Sequence, residues 1–129
     1  MAGLTDVVKG MYAGFEKGDV AAVLAALADD VSWTEAEGFP YGGTYVGHNA
    51  IIQHVFMRLA TEWHGFGVDP AEYVEQGNTV VALGHYHGTY KATGKSFRVP
   101  FGHIWTFADG KVSVFRQLTD TYVVRQTMV

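Results

Sequence analysis

The sequence predicts an α+β fold in which three helices come first and pack on one face of a curved, mainly antiparallel sheet. Two observations indicate this order: apolar residues recur every three or four positions in the first half of the chain and alternate in the second half. A third indicates the strand directions, because the links between the alternating segments are short and contain glycine, as hairpin turns do.

Three stretches have the apolar spacing of helices. The first carries apolar residues at Leu4, Val7, Val8, Met11, Tyr12 and Phe15. It ends at Gly18. The second begins at Asp19, a residue type that caps helices, and stops near residues 29–30. The third follows residues 48–49 and runs to about Glu62, and its apolar face must cover part of the sheet.

The strands are predicted from alternation. Residues 31–35 form a short first strand, and a loop follows at 38–43 because Pro40 and three glycines interrupt the pattern. Four further strands are expected after Val68, at residues 72–75, 79–90, 96–107 and 111–124. No linker, repeat or low-complexity tract divides the chain, so residues 1–129 are expected to form a single domain.

Composition argues against several classes of function. The chain has 129 residues and no cysteine, which removes disulfides, thiol nucleophiles and thiolate metal sites. Its net charge is −4 and its nine basic residues are scattered, so we expect no nucleic-acid partner. No segment is typical of a membrane span or a signal peptide, and no nucleotide-binding motif occurs. We therefore expect a soluble, cytoplasmic protein without a cofactor.

Several short motifs follow one another in a specific order. They are Y-x-x-F-x-x-G-D-x-x-x-x-L at residues 12–24, A-D-D-V-x-W at 28–33, Y-G-G-T-Y-x-G at 41–47, G-H-I-W-x-F at 102–107 and F-R-Q-x-x-D at 115–120. Together they resemble the SnoaL-like polyketide cyclases and ketosteroid isomerase-related proteins of the nuclear transport factor 2-like superfamily. The resemblance implies a cystatin-like cone with one deep, mostly apolar pocket. Because this fold carries isomerases, cyclases, hydrolases and binding proteins, it does not fix the function.

Asp120 is the first candidate for chemistry. Alternation on the predicted last strand places it on one face with Arg116 and Leu118. By resemblance it corresponds to the pocket carboxylate that acts as acid or base in SnoaL-like cyclases. A carboxylate in an apolar cavity has a raised pKa and can transfer protons near neutral pH. The alternative is an exposed Asp120 at the end of the strand.

His85 and His87 flank Tyr86 on a predicted strand, so both imidazoles lie on the same face. If that face lines the pocket, the imidazoles can shuttle a proton or polarise a carbonyl; otherwise Tyr86 faces inward. The resemblance places these histidines where epoxide hydrolases carry an arginine and an aspartate, which argues against that reaction. The pair could also bind a metal with Asp120 or His103, but the superfamily rarely uses metals and we expect none.

Glu35 and His103 form a second pair of candidates. The resemblance places Glu35 where steroid isomerases carry their proton-abstracting aspartate, and a carboxylate near Trp33 suits removal of a proton α to a carbonyl. It places His103 where those isomerases carry an oxyanion-stabilising aspartic acid. Their phenol on the first helix aligns with Met11, so we expect an incomplete donor pair. The alternatives are a solvated Glu35 and a His103 bonded within the core.

Aromatic residues are too numerous for a solid core of this size, which predicts a lined hollow. The residues expected to bind a ligand are Trp33, Tyr41, Phe56, Tyr86, Phe101, Trp105 and Leu118. Among them, Trp33, Phe56 and Trp105 are expected to hold its apolar body. Tyr41 belongs to the glycine-rich segment 38–43, which forms either a movable lid or a tight turn.

The leading functional hypothesis is a cofactor-free acid–base enzyme of the isomerase, cyclase or hydrolase type. Its ligand is a hydrophobic, carbonyl-bearing molecule such as a polyketide or terpenoid. The alternatives are a carrier for an apolar metabolite and a dimeric interaction domain. A homodimer through the sheet face is expected from the superfamily, with Tyr90, Phe97, Phe115 and Tyr122 as its apolar patch.

Overall fold

A layer of helices covers one side of the sheet in the computed structural model, which describes residues 3–129. Its members are α1 (Leu4–Lys17), α2 (Val20–Ala25), α3 (His48–Ile51), a π-helical turn (Ile52–Phe56) and α4 (Met57–Glu62). Helix α1 ends at Gly18, whose φ of 71° is left-handed. Asp19 then caps α2 by accepting a hydrogen bond from the Ala22 amide at 3.1 Å. The three predicted helices are confirmed, although α2 ends at Ala25 rather than near residues 29–30, and the third has a wide turn in its middle.

Within residues 3–129, six strands form one sheet. They are β1 (Leu27–Glu35), β2 (Gly43–Val46), β3 (Trp63–Gln76), β4 (Thr79–Tyr90), β5 (Ser96–Ala108) and β6 (Lys111–Thr119). Their order across the sheet is β2-β1-β6-β5-β4-β3. Each neighbouring pair is antiparallel except β1 and β6, which are parallel. The predicted α+β class and mainly antiparallel sheet are confirmed.

The strand boundaries differ from the predicted ones at several places. β1 and β3 start earlier than predicted, and β2 pairs with the end of β1 where the sequence predicts only a loop. The largest difference is at the C-terminus, where β6 ends at Thr119 and helix α5 (Thr121–Thr127) follows. The β-branched residues after Asp120 imitate a strand, but the Asp120 carboxylate accepts a hydrogen bond from the Val123 amide at 3.1 Å and starts a helix.

The core lies between the helices and the inward face of the sheet. Val8 and Met11 of α1 and Val55 of the π-helical turn pack in one cluster with Val80 and Trp105 of the strands. Along β4, β5 and β6, the buried side chains alternate with exposed or half-buried ones. This alternation decides which candidate residues enter the interior.

The outward face of the sheet bears on the expected homodimer. Phe97 and Phe115 are only 7% and 2% exposed and point into the core, so their predicted place on this face is wrong. Tyr122 is exposed, but on α5 rather than on a strand. Leu83 and Leu118, on either side of β5, are exposed on this face, and so are Val46 of β2 and Val74 of β3. A homodimer through this face stays a prediction.

Candidate active site

A cavity of about 730 Å³ lies between the helical layer and the sheet. Its wall is mostly apolar and includes nine aromatic residues: Phe15, Trp33, Phe39, Phe56, Trp63, Phe66, Tyr86, Trp105 and Phe115. Three buried polar side chains, Glu35, His103 and Gln117, also line it. The volume and the combination of apolar walls with few polar groups are typical of small-molecule sites. Four predicted ligand-binding residues thus lie in the wall: Trp33, Phe56, Tyr86 and Trp105.

Glu35 brings a carboxyl group into this wall. It is the last residue of β1, where Val31, Trp33 and Glu35 are the inward residues, and it is only 4% exposed. Burial raises its pKa to about 8, because the charged form loses its hydration. The Trp33 indole opposes this rise, although its N–H forms no hydrogen bond of normal geometry within residues 3–129. Glu35 therefore has an ionisation suited to proton transfer near neutral pH.

His103 lies at the centre of a buried chain of hydrogen bonds. Its Nδ1 atom is 2.7 Å from the Tyr12 hydroxyl oxygen, and its Nε2 atom contacts the Tyr86 hydroxyl. The Trp105 indole donates to the Tyr12 hydroxyl at 3.1 Å. Burial lowers the pKa of His103 to about 3, so the imidazole is neutral. His103 is thus bonded within the core, as one alternative states, and also lines the cavity.

Gln117 is a site residue that the sequence patterns did not identify. It pairs with His103 across β5 and β6, and its amide nitrogen donates to the Tyr86 hydroxyl at 3.1 Å. Its side-chain carbonyl accepts the Ala36 amide at 2.9 Å, which fixes the orientation of the group. Its spacing could have identified it: Gln117 lies two positions after Phe115 and therefore on the same face of the strand. A polar side chain on an inward face needs hydrogen-bond partners there.

The first helix carries a buried phenol, Tyr12, next to Met11. Met11 is 1% exposed and packs in the core, whereas the Tyr12 hydroxyl bonds to His103 and Trp105. Tyr12 does not line the cavity, so the expectation of an incomplete donor pair stays a prediction. Both positions belong to the same buried stripe of α1, so apolar spacing alone does not tell them apart.

Asp120 does not enter the cavity, and its predicted place there is wrong. It is exposed and uses its carboxylate to cap α5. Leu118, on the same face of the chain, is 54% exposed and does not line the cavity either. The inward residues of β6 are Phe115 and Gln117. The predicted pocket face, with Arg116, Leu118 and Asp120, is the outward face of the strand.

His85 and His87 lie on the face opposite to Tyr86, so the alternative with Tyr86 inward is the correct one. The His87 imidazole lies against Gly67, where a Cβ atom would meet its Nε2 atom at 2.0 Å. It is half exposed and 3.3 Å from an oxygen of Asp69, at the outer rim of the cavity. Neither histidine reaches Asp120 or His103 through a hydrogen bond of the described chain.

Tyr41 and Phe101 lie behind the cavity wall rather than in it. The Tyr41 hydroxyl donates to Glu62 at 2.7 Å and accepts from the Trp63 indole at 2.9 Å. These bonds tie the segment 38–43 to α4 and β3, and Phe39 is the residue of this segment that lines the cavity. Phe101 stacks against the rings of Tyr86 and His103, at centroid distances of 4.6 and 4.1 Å.

Residues 3–129 contain no group of three histidine, aspartate or glutamate side chains placed to hold a metal ion. They also contain no helix that is long and apolar enough to cross a membrane.

Comparisons with known proteins agree with this architecture. The sequence pattern described as SnoaL-like domain matches residues 8–115. A nuclear transport factor 2-like protein from Burkholderia thailandensis is 40% identical, with a TM-score of 0.96 over 100% of this chain and 99% of that one. A protein of the same description and unknown function from Burkholderia pseudomallei is 31% identical, with a TM-score of 0.92 over 100% and 99%.

A third solved structure contains a named compound. It is TerC co-crystallized with polyporic acid, 30% identical to this chain, with a TM-score of 0.87 over 96% of both chains. No protein with a curated description matches the sequence. With the matched pattern covering most of the chain, the protein belongs to the SnoaL-like family and has the cystatin-like, nuclear transport factor 2-like fold.

Proposed function

We propose that the protein is a cofactor-independent acid–base enzyme acting on a small hydrophobic molecule with a carbonyl group. The observation that carries this proposal is a buried carboxyl group, Glu35, facing the same aromatic-lined cavity as a hydroxyl donor, Tyr86. Both groups are held on strands rather than on loops, so their separation is fixed by the sheet. Aromatic walls would hold the apolar body of the substrate.

The proposed reaction begins with Glu35. Its carboxylate removes a proton from the carbon next to the carbonyl; the electron pair of the broken C–H bond forms a carbon–carbon double bond, and the π pair of the carbonyl moves to its oxygen. The resulting enolate oxygen accepts a hydrogen bond from the Tyr86 hydroxyl, whose oxygen is itself held by His103 and Gln117. Glu35 then returns its proton to the same carbon or to another carbon of the conjugated system, which gives exchange or isomerisation.

The ionisation of the two groups suits these roles. With a pKa of about 8, Glu35 is partly ionised at neutral pH, so the base form increases as the pH rises through that value. Burial and the nearby Glu35 charge raise the pKa of Tyr86 well above its usual value, so this hydroxyl keeps its proton. One group is thus able to accept a proton and the other remains a donor.

A relative supports the class of ligand. TerC, which is 30% identical over 96% of this chain, was crystallised with polyporic acid. A small organic molecule in a family member is consistent with a small-molecule site in this one. Polyporic acid is therefore a reasonable first probe for binding.

Exchange of carbon-bound hydrogen tests the proposal without knowledge of the product. A panel of conjugated and cyclic ketones is incubated in deuterated buffer with the protein, and deuterium uptake is followed by mass spectrometry. We expect uptake into at least one ketone, and a loss of roughly 100-fold or more in Glu35→Gln. The matched control is Glu37→Gln, the same chemical change at an exposed residue two positions along.

Two results would contradict the proposal. Uptake that is equal in wild type and Glu35→Gln would remove Glu35 as the base. Tight binding of panel compounds without any uptake would favour the alternative of a carrier for apolar metabolites.

A further inference from the structure

A continuous chain of hydrogen bonds runs through the buried core beside the cavity. Its members in order are Trp105, Tyr12, His103, Tyr86 and Gln117. The bond direction is fixed at both ends. An indole N–H can only donate, and Gln117 must donate to Tyr86 because its carbonyl already accepts the Ala36 amide. Only the two bonds at His103 have a direction that remains to be determined.

A neutral imidazole has one N–H group and one lone pair. One tyrosine must therefore donate its hydroxyl proton to His103 while the other accepts the His103 proton. In the first arrangement, Tyr12 donates to Nδ1 and Nε2 donates to Tyr86. In the second, Tyr86 donates to Nε2 and Nδ1 donates to Tyr12.

The two arrangements differ in which hydroxyl proton is left over. The second leaves the Tyr12 proton, but Tyr12 does not line the cavity, and within residues 3–129 its hydroxyl meets only His103 and the Trp105 N–H. A buried O–H without an acceptor is strongly disfavoured. The first leaves the Tyr86 proton, and Tyr86 lines the cavity, where a ligand oxygen can accept it.

We infer that Tyr12 and Trp105 fix His103 as the Nε2–H tautomer, and that Tyr86 consequently presents its hydroxyl proton to the cavity as a donor for a ligand oxygen. Tyr12, Trp105 and His103 are positioning residues, and Tyr86 determines specificity. The site then selects ligands with a hydrogen-bond acceptor at this point, such as a carbonyl or enolate oxygen. The identity of that oxygen as a carbonyl or enolate oxygen rests on the proposed function. The tautomer of His103 follows from the hydrogen bonds alone and does not depend on turnover.

Nuclear magnetic resonance of protein with nitrogen-15-labelled histidine tests the tautomer directly. The His103 signals are those that His103→Gln loses, and they should not titrate between pH 5 and 8, since burial keeps the pKa of His103 at about 3. If that variant does not fold, single replacements of the other histidines identify the His103 signals by elimination. We expect a bonded proton on Nε2 and none on Nδ1. A proton on Nδ1, on both nitrogens or shared between the two tautomers would overturn the inference.

Variants test the role of Tyr12. Tyr12→Phe keeps the ring and removes the donor to Nδ1, so neither tautomer then satisfies both ring nitrogens. We expect the preference for Nε2–H to weaken and the Nδ1–H population to rise above its wild-type level. Met11→Leu is the matched control, because Met11 is equally buried on the same helix and makes no hydrogen bond through its side chain in the described chain. A His103 tautomer that is the same in Tyr12→Phe as in wild type would overturn the positioning role.

Two probe ligands test the selectivity. 2-Acetylnaphthalene and 2-isopropylnaphthalene have similar shapes, but only the ketone offers an acceptor, and their binding is followed by tryptophan fluorescence. The measured quantity is the affinity for the ketone divided by the affinity for the hydrocarbon. We expect this ratio to be roughly tenfold lower in Tyr86→Phe than in wild type. Tyr12→Phe should lower the ratio as well, and Met11→Leu should not. An unchanged ratio in Tyr86→Phe would overturn the inference.

These outcomes separate the inference from the proposed function. If no ketone exchanges deuterium but His103 carries its proton on Nε2, the proposed reaction fails and the inference stands. If exchange depends on Glu35 while His103 carries its proton on Nδ1, Glu35 stands as the base, and the inference fails together with the donor role of Tyr86.

Discussion

Two carboxylic acids stand at the ends of neighbouring, parallel strands and have opposite surroundings. Glu35 ends β1 and is 4% exposed in an aromatic-lined cavity, whereas Asp120 follows β6, lies in solvent and caps a helix. Position at the end of a strand therefore does not decide whether a carboxylate joins the site. The face of the strand on which the residue lies and the element that comes next decide it.

The largest expected effect concerns the pH dependence of stability. The pKa of Glu35 is about 8 in the folded protein and 4.5 in its ordinary state, so the unfolded chain releases this proton first. The free energy of unfolding should therefore fall as the pH rises from 4.5 to 8, by roughly 5 kcal/mol at most from this group. Urea unfolding of Glu35→Gln should lack this part of the decrease.

The control for this measurement is Glu37→Gln, which should retain the pH dependence of the wild type. Because all other groups are shared, the difference between the two variants isolates Glu35. The same decrease in both variants would show that Glu35 is hydrated and that its contrast with Asp120 is smaller than the structure indicates.

A smaller effect is expected at Asp120. Asp120→Ala removes the oxygen that accepts the Val123 amide and should lower the free energy of unfolding by about 1 kcal/mol. Asp120→Asn keeps an oxygen that can cap the helix and should cost much less. Chemical denaturation of both variants at one pH measures the difference, and equal losses in the two would rule out the capping role.

The smallest effect is expected on the rate of deuterium exchange when Asp120 is replaced. Asp120→Asn should exchange deuterium into a responsive ketone within about twofold of the wild-type rate, because its side chain lies outside the cavity and general acid–base groups act only within hydrogen-bond reach. A loss as large as that of Glu35→Gln would mean that the two strand ends act together.

The fold was predictable because its elements follow local patterns. The stripe of α1, the end at Gly18 and the glycine-bearing turns each indicate one structure, and the structure has them. The C-terminal helix was not predictable, because the spacing of apolar residues after Asp120 fits a strand and a helix equally well. A single capping hydrogen bond, from Val123 to Asp120, separates the two outcomes.

The candidate site was predictable only in part. The resemblance pointed to Glu35 and His103, and both line the cavity. Alternation alone could not choose between the two faces of a strand, so Tyr86 and His87 remained open alternatives. Tyr12 and Gln117 enter the site through hydrogen bonds between elements far apart in the chain, and such partners have no local signature.

The wide turn in the third helix has a consequence for the shape of the ligand space. Residues Ile52–Phe56 form a π-helical turn, in which each hydrogen bond spans one residue more than in an α-helix. Val55 and Phe56 of this turn line the cavity, and so do Leu59 and Ala60 of α4, which follows it. The extra residue shifts these later positions by about 100° around the helix axis relative to an unbroken α-helix. Backbone geometry in this turn thus helps to decide which side chains of the helix face the hollow.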